Sequence, residues 1–162
     1  MKHALLIIDV QNDFCPGGSL AVTDGDQIIS GINDIMNDFD YVILTQDWHP
    51  ANHSSFANNQ NADPFSVIDM PYGPQVLWPD HCIQGSVGSA LHEALNTTRA
   101  DLIIRKGQNP SVDSYSAFFE NDHTTATGLH GYLTERSVSN VTLVGLATDY
   151  CVNFSAMLAD GG

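Results

Sequence analysis

Residues 141–151, VTLVGLATDYC, join a short apolar run to the expected first turn of a helix. The run Val141–Ala147 is rich in valine and leucine and does not alternate with polar residues. This pattern is typical of a strand that is covered on both faces of a parallel sheet. A helix is expected to start at Thr148 or Asp149. The segment therefore predicts a strand followed by a helix, which is the repeating unit of α/β proteins.

Three further apolar runs have the same character, and a helical pattern follows the first of them. Apolar residues between Ile28 and Phe39 share one helix face, with Asp24 as the predicted N-cap. A second helix is predicted over Thr124–Glu135. The additional strands are predicted at Ala4–Val10, Tyr41–Asp47 and Leu102–Lys106. This alternation predicts one domain over residues 1–162, a Rossmann-like three-layer αβα fold with a mostly parallel central sheet.

The region from Trp48 to Trp78 fits neither pattern. It is rich in Asn, Pro, His and Ser, which predicts a long loop. Loops of this length inside a compact domain are usually functional. We therefore expect this region to contribute to a site.

The charge of the chain excludes some classes of partner. Nineteen acidic residues against five basic ones give a formal charge of −14, which repels phosphate backbones and anionic lipid headgroups. Nucleic acids and membrane surfaces are therefore not expected partners. The apolar run Ala4–Ile8 is too short for a signal-peptide core. Three cysteines do not make a disulfide framework, which predicts reduced thiols and a cytoplasmic location.

Reactive side chains follow the predicted strands at their carboxyl ends, where open α/β sheets carry their sites. Asp9 and Lys106 lie at two strand ends, and Cys151 lies in the opening turn of the last helix. A thiol at a helix N-terminus beside a lysine is expected to have a lowered pKa. Asp9 is the predicted proton acceptor, and the Ala147 and Cys151 amides are the predicted oxyanion donors. Each residue alone also has a structural explanation; together they predict a catalytic cysteine.

A candidate metal site lies beside them. Asp47 and His49 are two residues apart at a strand end, and His81 lies in the segment PDHC. A carboxylate with imidazoles suits zinc, iron(II) or manganese in a site that keeps open positions. His53 is left open as a further ligand or as a partner behind a ligand.

Aromatic residues are candidates for a substrate pocket. Phe14, Trp78 and Tyr115 lie near the predicted site residues in sequence or at strand ends. A flat heteroaromatic substrate would stack against such rings. Each ring is explained equally well as a core aromatic.

Taken together, six segments resemble the nicotinamidase (pyrazinamidase) branch of the isochorismatase-like cysteine hydrolases. In order they are LLIIDVQNDFCPGGSLAV, TQDWHPANHSSF, VLWPDHCIQGSVG, IIRKG, DSYSAF and LVGLATDYCV. The resemblance implies an amidase that hydrolyses nicotinamide, and also pyrazinamide, to the carboxylic acid and ammonia. The sequence leaves open whether it serves NAD salvage or a broader amidase role. It implies a thioester on Cys151, with Asp9 and Lys106 completing a catalytic triad.

The resemblance also implies one metal ion, zinc ahead of iron and manganese, bound by Asp47, His49 and His81 and holding the pyridine nitrogen of the substrate. Phe14, Trp78, Tyr115 and Ala147 are the implied substrate-binding residues. A cis peptide bond is implied at Leu146–Ala147. Family members usually continue with a further strand and helix, whereas this sequence ends at Gly162, so an open sheet edge is expected. The sequence leaves open whether the chain is a homo-oligomer.

Two alternatives remain open at this stage. Another amidase of the same superfamily, acting on a carbamoyl or ureido group, would keep Asp9, Lys106 and Cys151 without needing the metal ligands. A non-catalytic α/β module that binds a metal or ligand would need none of these three residues. Bound metal separates the first alternative from the nicotinamidase, and thiol reactivity separates the second.

Overall fold

The structure is a computed structural model that describes residues 1–159. The strands are β1 (Lys2–Ile8), β2 (Tyr41–Asp47), β3 (Val67–Met70), β4 (Gly73–Val76), β5 (Leu102–Lys106) and β6 (Val138–Gly145). The α-helices are α1 (Ile28–Ile35), α2 (Leu129–Glu135) and α3 (Asn153–Leu158). The four predicted strands are confirmed, although β1 and β6 each begin and end earlier than their apolar runs.

Four strands form the central sheet in the order β5-β2-β1-β6, and every neighbouring pair is parallel. The register brings the carboxyl ends of these strands to one edge. Ile7 of β1 pairs with Leu44 of β2 and with Val144 of β6, and Asp47 pairs with Lys106 of β5. The residues that follow these strands therefore lie close to one another at this edge of the sheet.

Helices cover both faces of the sheet, so the predicted three-layer α/β fold is confirmed. On one face Leu6 of β1 belongs to the same buried cluster as Leu129 of α2. On the other face Ile7 packs in a second cluster with Ile29 of α1. Side chains alternate along a strand, so an apolar run without polar interruptions supplies both cores at once.

The helices are shorter than the sequence predicted. Asp24 makes no side-chain cap, and a 3₁₀ turn precedes α1. The second helix begins at Leu129 because Asp122 Oδ1 accepts hydrogen bonds from the amides of Thr124 and Thr125 and holds them in a turn. Such local side-chain bonds compete with helix formation. The predicted start of the third helix is confirmed, since a π-helical turn runs from Thr148 to Val152 directly before α3.

The region between Trp48 and Trp78 is more ordered than the predicted loop. Strands β3 and β4 form an antiparallel hairpin within it. The prediction missed both strands because they contain Asp69, Gly73 and Pro74, which are residue types depleted in strands.

Two further expectations concern membrane-spanning helices and the end of the chain. Within residues 1–159, every helix is too short or too polar to cross a bilayer. The expectation about the end of the chain falls on residues 160–162, which lie outside the described residues.

Candidate active site

At the carboxyl edge of the sheet, Lys106 contacts the other two predicted catalytic residues, Asp9 and Cys151. Its Nζ lies 2.9 Å from Asp9 Oδ2 and 3.5 Å from Cys151 Sγ. It also donates to Asp47 Oδ1 at 2.7 Å and to the carbonyl oxygen of Ser114 at 2.9 Å. The Lys106 side chain and the three side chains around its Nζ, those of Asp9, Asp47 and Cys151, are all buried. The structure thus brings together one cation, two carboxylates and one thiol.

Asp9 is held by a residue that the sequence did not single out. Thr45 Oγ1 donates to Asp9 Oδ1 at 2.6 Å and accepts from the Asp9 amide at 3.1 Å. The other oxygen, Oδ2, pairs with Lys106 but accepts no hydrogen bond of good geometry. A carboxylate oxygen of Asp9 lies within 4.8 Å of Cys151 Sγ. Asp9 therefore has a free acceptor position next to the thiol.

Burial and charge set the proton affinities of this group. Burial raises the pKa of Asp9, Lys106 lowers it, and the net pKa is above that of an ordinary aspartate. Burial by itself would lower the pKa of Lys106, but Asp47 and Asp9 raise it well above the usual value. Asp9 is consequently a stronger base than an exposed carboxylate, and Lys106 stays an ammonium ion that cannot act as a nucleophile.

The predicted low pKa of Cys151 is wrong for this environment. Burial raises the pKa of the thiol, Lys106 lowers it, and Asp9 and Asp47 raise it further, so the net direction is up. The expectation considered the helix end and the lysine but not the two carboxylates or the burial. The thiol is therefore protonated at rest and needs an adjacent base. The peptide bond Leu146–Ala147, which precedes this turn, is cis as predicted.

A cavity of about 350 Å³ opens beside Cys151. This volume suits a small ligand. The four residues that the sequence proposed for substrate binding, Phe14, Trp78, Tyr115 and Ala147, all line it. The sequence did not identify several other lining residues: Leu20, Ala21, Val22, Asp113, Thr148, Asp149 and Tyr150.

Aromatic rings build one wall of this cavity. The rings of Trp78 and Tyr150 are perpendicular, with their centroids 4.8 Å apart. Tyr115 lies 5.4 Å from Tyr150, and its hydroxyl accepts hydrogen bonds from Trp78 Nε1 and from Gln75 Nε2. Tyr150 directly precedes the predicted nucleophile, and this position was the one signal that would have marked it.

Asp47, His49 and His81 form the predicted metal-ligand group. Asp47 Oδ2 lies 3.5 Å from His49 Nε2 and 3.8 Å from His81 Nε2. His49 Nδ1 lies 2.9 Å from the Gly107 carbonyl oxygen, and His81 Nδ1 lies 2.8 Å from that of Pro79. A carbonyl only accepts, so both Nδ1 atoms donate and both Nε2 atoms face the carboxylate. Burial would lower the pKa of His49, but Asp47 raises it above the ordinary value, so a metal ion at His49 Nε2 would take the place of a proton.

The chemistry of this group fits a divalent cation. His49 Nε2 is buried and has no hydrogen-bond partner, which is the arrangement expected of an atom reserved for a metal. Burial would raise the pKa of Asp47, but Lys106 and His49 lower it, so the carboxylate stays ionised. Burial and the neighbouring His49 lower the pKa of His81, which keeps that ring neutral. One carboxylate and two imidazoles suit zinc, iron(II) or manganese.

His53 lies behind His49. The two ring centroids are 4.4 Å apart. The Ser55 amide donates to His53 Nδ1 at 3.2 Å, so that atom accepts. His53 Nε2, like His49 Nε2, is buried without a hydrogen-bond partner, and His49, His53 and Asp113 form a group close enough to hold a metal. His53 therefore stays a candidate for a further ligand or for a partner behind a ligand. Burial and His49 lower the pKa of His53 to about 4, so the ring is neutral at pH 7.

The family follows from the sequence comparison. The isochorismatase domain matches residues 3–159, so the chain belongs to the isochorismatase family. It is 56% identical over 155 residues to the nicotinamidase of Acinetobacter baylyi, covering 95% of this chain and 72% of that protein.

Two solved structures show the same architecture. The nicotinamidase/pyrazinamidase of Acinetobacter baumanii superimposes with a TM-score of 0.96 at 55% identity, covering 98% of this chain and 77% of that one. The pyrazinamidase of Pyrococcus horikoshii in complex with zinc superimposes with a TM-score of 0.77 at 32% identity, covering 98% and 78%.

Proposed function

We propose that this protein is a nicotinamidase, which hydrolyses nicotinamide to nicotinic acid and ammonia and also accepts pyrazinamide. One observation carries the proposal: a buried thiol, its base and an ammonium group meet a three-residue metal-ligand group at one small aromatic cavity. The names of the similar Acinetobacter proteins support the choice of substrate.

The first half of the reaction forms a thioester. Asp9 takes the proton of Cys151, and the resulting thiolate adds to the carboxamide carbon. The backbone amides of Ala147 and Cys151 donate to the oxyanion, and Lys106 balances the negative charge of the buried group. Asp9 then gives its proton to the leaving nitrogen, the C–N bond breaks, and ammonia departs. The raised pKa of Asp9 suits it to both proton transfers.

The second half hydrolyses the thioester. Asp9 accepts a proton from a water molecule while the water oxygen adds to the thioester carbon. The C–S bond then breaks, nicotinic acid is released, and the proton on Asp9 returns to Cys151. One water is consumed and one ammonia is formed for each nicotinamide, so the cycle balances.

Asp47, His49 and His81 would hold one divalent metal ion, zinc ahead of iron or manganese. The zinc complex of the Pyrococcus horikoshii pyrazinamidase supports this choice. When bound, the metal would supply a Lewis acid for the ring nitrogen of the substrate. The residues of the chain then do the positioning: Trp78, Tyr115 and their neighbours confine the flat ring beside Cys151.

Two features of the site favour a nicotinamidase over the two alternative functions. An amidase for carbamoyl groups has no need of the buried His49 Nε2 atom without a partner. A non-catalytic module has no need of a base beside a buried thiol. A cytoplasmic location, a role in NAD salvage and the oligomeric state stay predictions, as does the absence of nucleic-acid and membrane partners.

Chelation is expected to abolish the reaction reversibly. Purified protein should release ammonia from nicotinamide, should lose most of that activity after incubation with a strong chelator, and should regain it when zinc is added back. An enzyme-coupled ammonia assay measures each step. Release that chelation leaves unchanged would contradict the metal-anchored substrate. No release from folded, zinc-loaded protein would favour the carbamoyl amidases, which the same assay tests with carbamoyl substrates.

Replacing His49 by alanine is expected to remove the metal and weaken substrate binding together, because His49 is one of only three protein ligands in the proposed site. Bound zinc, measured by elemental analysis, should fall from about one per chain to a small fraction of that. His130→Ala is the matched control, since His130 is exposed on α2 and should leave the zinc content unchanged. Full zinc occupancy in His49→Ala would refute the ligand assignment.

A further inference from the structure

The short turn after β1 carries two polar side chains that reach the metal-ligand segments. We propose that Gln11 and Asp13 are positioning residues that fix the positions of the proposed metal ligands Asp47 and His81. The inference rests on the metal site of the proposed function. Neither residue lines the cavity. Gln11 binds the backbone of the proposed ligand Asp47, and Asp13 binds the backbone of Cys82, the residue after His81.

Gln11 binds both backbone polar groups of Asp47, the amide and the carbonyl. Gln11 Nε2 donates to the Asp47 carbonyl oxygen at 2.8 Å, and Gln11 Oε1 accepts from the Asp47 amide at 2.9 Å. Nε2 also donates to the Ser89 carbonyl oxygen at 2.8 Å. The side chain is fully buried. Both amide hydrogens and the oxygen are therefore in use, which leaves the side chain one orientation.

The sheet explains why Asp47 needs this partner. The pairing of β1 with β2 ends at Ile7 and Leu44, so Asp47 lies beyond the last residue that β1 can pair. On its other side Asp47 pairs with Lys106 of β5. The Gln11 side chain takes the place of the missing strand partner. It thereby fixes the direction in which the Asp47 carboxylate leaves the sheet.

Asp13 does the same for the other ligand segment. Its Oδ2 accepts from the amide of Cys82, the residue after His81, at 2.7 Å. Its Oδ1 accepts from the Ser19 amide at 3.3 Å. Gly88 lies against this carboxylate, and a side chain there would overlap Asp13. The glycine at position 88 therefore leaves the space that the Asp13 carboxylate occupies.

One turn therefore connects three parts of the site. Asp9, the proposed base, lies immediately before it, and Gln11 and Asp13 each hold a segment that carries a ligand. A loss of either contact lets Asp47 or His81 move relative to the other. Partners behind metal ligands typically contribute ~10–100-fold to metal affinity.

The test compares matched substitutions in zinc-loaded protein. A chromophoric chelator competes for the zinc, and its absorbance gives the affinity of each variant. Gln11→Glu places an oxygen against two carbonyl oxygens and should weaken zinc binding by ~10–100-fold. Gln46→Glu is the control, because Gln46 Nε2 donates to the same Ser89 carbonyl at 2.8 Å without contacting the Asp47 backbone. It should stay within about threefold of the wild type.

A second pair covers the case in which Gln11→Glu does not fold, which its thermal unfolding curve shows. Asp13→Ala should also weaken zinc binding by ~10–100-fold, whereas Asn12→Ala, which loses a bond to Val87 in the same turn, should not. Wild-type affinity in the folded Gln11 and Asp13 variants, or equal losses in the controls, would overturn the inference. A wild-type protein that binds no zinc would instead overturn the proposed metal site, and this inference with it.

Discussion

Replacement of Cys151 by alanine is expected to reduce ammonia release from nicotinamide by on the order of 10⁴-fold or more, because no other group in the cavity can form the thioester. Lys106 is held as an ammonium ion, and the remaining thiols, Cys15 and Cys82, pack in a separate buried cluster. The variant should still bind zinc and nicotinate, because the proposed ligands and the aromatic wall are unchanged. Steady-state ammonia release and calorimetric titration with nicotinate measure the two properties separately.

Cys15→Ala is the matched control for this experiment. It removes a thiol of similar burial that does not contact Asp9 or Lys106, and it should keep at least about half of the activity. Substantial turnover in Cys151→Ala would show that the nucleophile is another group. Loss of zinc or nicotinate binding in the same variant would show that Cys151 supports the structure of the site as well as the chemistry.

Replacement of Lys106 by methionine is expected to affect both stability and turnover. The ammonium group neutralises two buried carboxylates, Asp9 and Asp47, and removing it leaves a buried charge without its partner. We expect the free energy of unfolding to fall by ~3–5 kcal/mol. Turnover should fall by ~10²–10³-fold or more, since the charge of the reacting group is no longer balanced.

Lys2→Met is the matched control for Lys106. Lys2 is exposed and donates to the hydroxyl of Tyr41, so its loss should change the free energy of unfolding by less than ~1 kcal/mol. Urea unfolding and ammonia release give the two readouts. If Lys106→Met were as stable as the wild type, the buried carboxylates would have to be protonated or otherwise neutralised at rest. That result would contradict the charge balance on which the mechanism depends.

The four strands of the central sheet and the positions of the candidate catalytic residues at their ends could be predicted from the sequence because each depends on local information. An apolar run without alternation marks a strand that is buried on both faces, and the polar residue that ends it marks the carboxyl edge. Asp9, Asp47 and Lys106 were found in this way. The β3–β4 hairpin was missed for the same reason, since its composition is that of a loop.

The supporting residues could not be predicted, because their partners are distant in sequence. Thr45 is 36 positions from Asp9, and Gln11 is 36 positions from Asp47. In the sequence, nothing distinguishes either residue from an ordinary polar residue. Only the pairing of the strands brings each one next to its partner. Gln75, which holds Tyr115 from 40 positions away, is a further case.

The sequence by itself determined the four strands of the central sheet and the candidate reactive groups at their ends, because these depend on residue type and periodicity, and its six matching segments indicated the family. The tertiary structure decided how those groups behave. It raised the pKa of Cys151, where the local sequence predicted a lower one, because burial and two carboxylates outweigh one lysine. It also placed a proton on His49 Nδ1, because the Gly107 carbonyl lies beside that atom. Desolvation and hydrogen bonding depend on which distant segments meet, and only the folded chain establishes that.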